Sequence, residues 1–454
     1  MAYDKVVDSA SLDSKLTQVA DAIRTKGNTS ADLQFPSGFI SAIQAIHTGT
    51  ELQIIVTVTS GATVTATKGS LSVSGTAING TCTLIVPEAG TWSVKATHNG
   101  QTSDTKSVTF TDRYTTSLTF FSATITVTVE SGASVALKKD GGTAQTKTST
   151  GTVVFTVTET GAYTVDATKN GQTVSGSVNV VSSTTSYALT LSFVSAVLND
   201  NDWLKIKSVS DAGQGANYWS IGDCKEVTLN GTVGALTLSN FTTYVFIIGF
   251  NHNASVEGAN RIHFQLGKTA LSGGTDVALC DSKYNSQVNE TGYFSMNSSI
   301  TNSGGWNSSQ MRINICGTSL SSYSGTIIAV IPAALRAVLK SVTKYTDNTG
   351  GGSTAASNVT ATTDYFFPLS EFEVFGSISR ANSNEASKQA QYAYYSAGNS
   401  KIKYKHNETS TAATCWLRSP LASNSYGFVF VYTDGTAIND LATYSFSFSP
   451  GFCV

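Results

Sequence analysis

Residues able to do chemistry are sparse in this chain, and their spacing narrows what they could do. Glu371 and Glu373 form the notable carboxylate pair. On a strand they would share a face, the arrangement that two-carboxylate glycoside hydrolysis uses when the groups line a cleft. A structural role fits the composition better. Charged residues are only 13% of the chain, so Arg312 and Arg418 need partners, and bidentate pairs with Glu371 and Glu373 beside Trp306 and Trp416 would supply them. Of the histidines His47, His98, His252, His263 and His406, the pair His252 and His263 has no Cys or acid at ligand spacing, so no metal site is expected. No Gly-x-Ser-x-Gly elbow, P-loop or dinucleotide fingerprint occurs, so neither an enzyme nor a cofactor is expected.

Cys82, Cys224, Cys280, Cys316, Cys415 and Cys453 lie far apart with no CxxC, which favours reduced thiols and cytosolic synthesis, with local pairing left open for Cys453. A net charge of −2 leaves no electrostatic footprint for nucleic acid or anionic lipid. No apolar leader follows Met1 and no run of apolar residues is long enough to span a bilayer, so membrane insertion is not expected.

The elements that must position these residues begin with an internal repeat. Residues 58 to 100 recur at 129 to 171: Val58-Thr59-Ser60-Gly61-Ala62 returns as Val129-Glu130-Ser131-Gly132-Ala133, and Gly90-Thr91-Trp92 as Gly161-Ala162-Tyr163. Tandem units of this kind space or display something more often than they catalyse. Period-2 alternation agrees between copies, with Leu84 and Val86 matching Phe155 and Val157, and Trp92, Val94 and Ala96 matching Tyr163, Val165 and Ala167. Cys82 aligns with Val153, an inward position, and so reads as a buried thiol. Asn99-Gly100 and Asn170-Gly171 fit type I′ hairpin turns. Residues 51–121 and 122–196 are therefore expected to be small immunoglobulin-like sandwiches.

Ahead of them, Leu12, Leu16, Val19, Ala20 and Ile23 have helical spacing, and Pro36 opens a second short helix carrying Phe39, Ile40, Ile43 and Ile46. Helices this short do not bury their apolar stripes alone, so residues 1–50 are expected to pack against other chains, with a homotrimer as the expected assembly. From 197 to 454 the repeat stops and aromatic residues become denser. Leu335, Val338, Leu339 and Val342 behind Pro332 predict a helix at 332–345, followed by a glycine-rich excursion near 347–362; a second helical stretch is expected at 384–396. The rest reads as short strands and long loops, an α+β domain.

This last region resembles an uncharacterised domain family common in tail and fibre proteins of phages infecting Gram-positive bacteria. The matching segments are Trp219-Ser220-Ile221-Gly222-Asp223, Val227-Thr228-Leu229-Asn230-Gly231, Ile248-Gly249-Phe250-Asn251-His252, Gly304-Gly305-Trp306-Asn307-Ser308-Ser309-Gln310-Met311-Arg312, Leu369-Ser370-Glu371-Phe372-Glu373-Val374-Phe375-Gly376 and Trp416-Leu417-Arg418-Ser419-Pro420. The last is also similar to a signature of C-type-lectin-like domains in phage tropism determinants. The head, with Ala20-Asp21-Ala22-Ile23-Arg24 and Phe35-Pro36-Ser37-Gly38-Phe39, resembles the opening of many phage tail and baseplate-associated proteins. The resemblance implies a virion protein made in the host cytoplasm. Its head would bind other virion proteins, and its C-terminal C-type-lectin-like domain would contact a host-surface glycan or protein. Glu-Pro-Asn and Trp-Asn-Asp calcium tripeptides are missing, and Asn199-Asp200-Asn201-Asp202 lacks the loop Gly and distal Glu of a calcium loop.

The expected fold is thus multidomain and mainly β: a helical hairpin, two sandwiches and an α+β domain. Candidate receptor-binding residues are Asn424, Tyr426, Asp434, Asn439 and Tyr444, on Tyr/Asn/Ser-rich loops after Pro420. Alternatives are a capsid- or tail-decorating appendage that binds only virion proteins, and a polysaccharide depolymerase.

Overall fold

The architecture follows from a computed structural model, which describes residues 9–27, 30–45, 51–286 and 292–454. The chain is multidomain and mainly β, and divides into two compact units, Met1–Phe193 and Val194–Val454. Expectations that rest on His47, Ile46 or the first eight positions fall outside the described residues.

The first unit opens with helices α1 (Ser9–Gly27) and α2 (Ser37–Ala45). They pack on each other through Ala20, Ile23 and Phe39, with Leu16, Leu33 and Ala42 at the margin. Part of the apolar stripe is therefore spent within the hairpin. Leu12, Val19, Ile40 and Ile43 stay exposed.

Each repeat is a two-sheet sandwich. The first contains β1 (Gln53–Thr57), β2 (Thr63–Lys68), β3 (Leu71–Thr76), β4 (Thr81–Ile85), β5 (Gly90–His98), β6 (Gln101–Thr102), β7 (Lys106–Phe110) and β8 (Arg113–Ser117). One sheet runs β4-β1-β8, with β8 parallel to β1; the other runs β3-β2-β5-β6, and β7 also pairs with β5. The second contains β9 (Ala123–Thr128), β10 (Ser134–Lys139), β11 (Gln145–Thr148), β12 (Thr152–Val157), β13 (Gly161–Lys169), β14 (Gln172–Val180) and β15 (Ser186–Thr190). Its sheets, β12-β9-β15 and β11-β10-β13-β14, repeat the pattern, including a parallel first and last strand.

Alternation along the strands produces these layers. Inward residues of both sheets meet in one core per repeat, around Trp92 in the first and around Phe155 and Tyr163 in the second. Cys82 and Val153 are both buried, as the alignment requires. Asn99-Gly100 and Asn170-Gly171 close the long hairpins with both residues at positive φ (49° and 81°; 49° and 78°), the type I′ geometry. A further shared device joins strand ends. Trp92 Nε1 donates to the Glu88 carbonyl at 3.2 Å and Tyr163 Oη to the Glu159 carbonyl at 3.0 Å, while Lys68 and Lys139 pair with the same two glutamates.

The second unit has one continuous apolar core. Its main sheet holds β16 (Cys224–Val233), β17 (Leu236–Phe250) and β18 (Ile262–Lys268), extended by β28 (Gly451–Cys453) and β22 (Phe366–Phe367). Smaller sheets join β19 (Val277–Ala278) with β23 (Lys403–Lys405) and β24 (Glu408–Ala413), β20 (Val342–Asp347) with β21 (Val359–Asp364), and β25 (Cys415–Pro420) with β26 (Gly427–Val431) and β27 (Ala437–Leu441). The helix expected at 332–345 is mostly absent. Ala333–Arg336 form one turn, and the chain then becomes β20. Leu335, Val338, Leu339 and Val342 are all buried, so the apolar pattern was real, but Val342, Thr343, Tyr345 and Thr346 favour a pleated strand over a helix. The stretch expected at 384–396 is helical only at Ser383–Ser387 and Ala393–Ser396. All six cysteines are free and buried, and Cys453 meets His263 Nδ1 at 3.2 Å. Among the described residues no helix is long and apolar enough to cross a membrane.

The repeated aromatic anchor yields a paired test. Trp92→Ala should destabilise the first repeat by about 3–5 kcal/mol, and Tyr163→Phe, which removes one hydrogen bond only, should cost the second about 1 kcal/mol. Hydrogen exchange resolved by repeat measures both; equal losses would contradict the assignment of volume to one residue and a single bond to the other.

Candidate functional site

The most highly charged interior of the second unit is built around Glu373. This residue is the third position of the helix Glu371–Phe375, where Ser370 and Glu373 form a reciprocal capping box. The cap fixes the carboxylate in the core, where it accepts both Nη1 and Nη2 of Arg418 and Nζ of Lys344, the last two at 2.9 Å. Arg418 lies in β25 where the register shifts between Trp416 and Pro420, and its guanidinium also donates to Thr346 Oγ1 at 2.8 Å and the Pro368 carbonyl at 3.1 Å. Lys344, inward-facing on β20 between Val342 and Thr346, further donates to Glu257 Oε2 and Tyr392 Oη, both at 2.8 Å. All these side chains are buried.

Electrostatics sorts the acids. Burial opposes the charge of Glu373, but Arg418 and Lys344 outweigh it and hold the carboxyl well below the usual range. Burial pushes Glu257 up to about 7 against the pull of Lys344, and pushes Glu385 up to about 7 against the Asp347 amide and Ser419 hydroxyl. Burial, then Lys344, lowers His252 to about 3, so its ring is neutral.

Sequence spacing missed a histidine cluster here. His252 stacks on Tyr392 at 3.7 Å, its ring centroid lies 5.5 Å from that of His263, and Glu257 Oε1 is 3.6 Å from His252 Nε2. Ligand atoms of His252, Glu257 and Glu373 all lie within 4.8 Å of one another, which corrects the expectation that no acid stands at ligand spacing from the histidine pair. Glu373 comes from far along the chain, but Glu257 ends the next short helix only five residues after His252, a local signal that the spacing argument passed over. Lys344 already places a positive charge between the two carboxylates, and a divalent ion would have to enter beside it and Arg418.

Two expected pairings change. Glu371 and Glu373 occupy a helix rather than a strand, so positions two apart leave in nearly opposite directions and share no face. Arg312 pairs with Asp364 at 2.7 Å, and Trp306 Nε1 donates to the same carboxylate at 3.0 Å. Glu371 meets no cation among the described residues. It accepts the amides of Ser379 (2.8 Å), Arg380 (3.1 Å) and Ala381 (2.7 Å), and the Ser379 hydroxyl (2.7 Å).

That clamp is one of several buried polar groups spent on surface loops. Asn302 Nδ2 donates to the carbonyls of Leu421, Asn424 and Gly427, at 2.9–3.0 Å, while its Oδ1 accepts Gly351 N at 2.7 Å. Asn382 Nδ2 reaches Asp347 Oδ2 (2.9 Å) and the Ala355 carbonyl (3.2 Å), and Asp347 Oδ1 accepts Thr349 N and Gly350 N. Ala422 N donates to the Arg380 carbonyl at 3.0 Å. The loops at 348–358, 377–384 and 421–427 therefore form one held platform. Positive φ at Gly350 belongs to it, because a Cβ there would strike the Asn302 carbonyl oxygen.

The expected recognition residues divide over this surface. Asn424 is exposed and Tyr426 half-buried in the 421–427 loop, and Asn439 on β27 contacts Arg380. Asp434 lies at the other end of the β26–β27 hairpin, about 15 Å of strand away, and bonds its own turn through Thr436. Tyr444 packs against the core beside Phe446, so it is a structural residue more than a loop contact. The five do not make one patch.

Residues 282–454 match a family described as a domain of unknown function, DUF6273. No curated protein matches. Among solved structures, the minor pilin GBS52 of Streptococcus agalactiae is 11% identical over 32% of this chain and 96% of that one, with a TM-score of 0.21. A titin segment is 10% identical over 30% and 96%, with a TM-score of 0.09.

The network predicts opposite effects for neighbouring glutamates. Glu373→Gln leaves Arg418 and Lys344 buried without a counter-charge and should cost about 3–5 kcal/mol of unit stability, read from denaturant unfolding. Glu257 is protonated more readily in the folded state than at its ordinary 4.5, so its stabilising share is full below that value and is lost as pH rises through about 7. The melting temperature of wild type relative to Glu257→Gln should therefore fall between pH 5 and pH 8; a difference that stays constant would contradict the assignment.

Proposed function

We propose that this chain is a structural protein of a phage particle, of tail-fibre or receptor-binding type, that attaches to the host surface through its second unit. The observation that carries the reading is the loop platform. Buried Asn302, Glu371, Asn382 and Asp347 spend their hydrogen-bonding capacity on the backbone of surface loops rich in Gly, Asn and Ser. Fixing exposed polar loops at the expense of buried polar groups suits recognition, because ordering is complete before a ligand arrives. On this reading the two sandwiches are immunoglobulin-like spacers, the second unit is a C-type-lectin-like recognition domain, and the ligand is a host-surface glycan or protein.

The head supports assembly. Leu12 and Val19 on α1, and Ile40 and Ile43 on α2, remain exposed after the hairpin has packed, which suits contact with symmetry mates in a trimer or with other virion proteins. A chain starting at Glu51 should drop to a smaller assembly in light scattering; an unchanged mass would remove the head from assembly.

Attachment is tested with the fluorescent full-length protein on a panel of Gram-positive bacteria. Saturable binding without release of reducing ends is expected, and Asn302→Ala, which frees two loops at once, should weaken it about tenfold or more. Reducing ends would instead support a depolymerase. Absence of any binding would support an appendage that contacts only virion proteins.

A further inference from the structure

The platform is nearly devoid of charge. In residues 348–358, 377–384, 421–427 and 437–441 the sole cation is Arg380 and the sole carboxylate is Asp440. Arg380 is exposed. Among the described residues its side chain forms no ion pair and a single hydrogen bond, from Nη1 to Asn439 Oδ1 at 3.4 Å. Asn439 reaches it from β27, so Asp440, the next residue of that strand, leaves from the other face and bonds its own Leu441 amide. The backbone beneath Arg380 is fixed at both ends of the residue: Glu371 accepts its amide through Oε1 and Oε2, and its carbonyl accepts Ala422 N.

An arginine whose backbone is clamped by a buried carboxylate, whose fork is largely unspent and whose neighbours are neutral amides is arranged to meet an anion. We propose that Arg380 anchors a phosphate or carboxylate group of the ligand that the platform takes, with the Asn439 side chain in contact with it as an adaptable polar partner. The planar fork suits two parallel N–H···O bonds to either group. Clamping the backbone lowers the ordering cost of binding. This inference rests on the reading of the second unit as the attaching one.

The test follows the arginine side-chain N–H resonances of the full chain by NMR while sn-glycerol 1-phosphate or D-glucuronate is added, with glycerol and glucose as neutral controls. A saturable shift at Arg380 with phosphate, carboxylate or both is expected, and which anion causes it separates a phosphate-bearing ligand from an acidic glycan. Arg380→Ala should abolish saturable binding, and Arg380→Lys, which keeps the charge but loses the fork, should weaken it about tenfold. No saturable shift with either anion up to about 50 mM, or equal affinity in Arg380→Ala, would overturn the proposal. Cell binding separates the two levels of the account. If Arg380→Ala attaches like wild type while Asn302→Ala does not, the anion anchor falls and the platform stands; if both attach like wild type, both fall.

Discussion

The bond between Glu373 and Arg418 is the constraint on which the second unit depends. Both groups are wholly buried, so each carries a large desolvation cost that only the other, Lys344 and a set of neutral donors and acceptors can offset. The arrangement ties together segments distant in sequence: the helix at 371–375, β25, β20, the short helix ending at Glu257, and Tyr392. A hydrophobic replacement of the whole set could hold the same volume. What the charges add is register, because a carboxylate that must meet a guanidinium and an ammonium admits one packing of the elements that carry them.

Register in the core becomes shape at the surface. Glu371 stands two residues before Glu373 on the same turn, so fixing one carboxylate in the core aims the other at the 379–381 backbone. Asp347 ends the strand that carries Lys344 and caps the glycine-rich loop through Thr349 and Gly350. Ser419, next to Arg418, donates to Glu385 and accepts the Glu371 amide. The same short segments thus hold the ion network and the loops, which makes loop order a consequence of core order.

Much of the first unit was readable from sequence because its information is local. Alternation, Asn-Gly turns and the equivalence of Trp92 with Tyr163 each involve neighbours on one hairpin, and the repeat supplies two copies to compare. The second unit resisted for the opposite reason. Leu335, Val338, Leu339 and Val342 fit helical spacing, yet the strand that follows is decided by pairing with 359–364, remote in sequence. Reading 342–347 as a strand would have put Lys344 on the inward face and raised the question of its counter-charge. The need of Arg418 for a buried carboxylate was legible; the choice of Asp364 for Arg312 was not, since nothing short-range distinguishes it from Glu371. The cluster of His252, His263 and Glu257 arises where the β17–β18 connection folds over the core; the five-residue step from His252 to Glu257 is local, but the approach of His263 and Glu373 is not.

The central claim, that buried polar groups hold the recognition loops in a single shape before any ligand binds, is met most directly by amide hydrogen exchange on the full chain. Amides of the exposed Ser379, Arg380 and Gly351, and of the buried Ala381 and Gly350 beside them, lie in loops without strand pairing and donate to Glu371, Asp347 and Asn302. They should exchange orders of magnitude more slowly than the Gly141-Gly142 turn of the second repeat, approaching the strands of the second unit. Exchange as fast as that turn would show loops that sample many shapes, and would contradict the account.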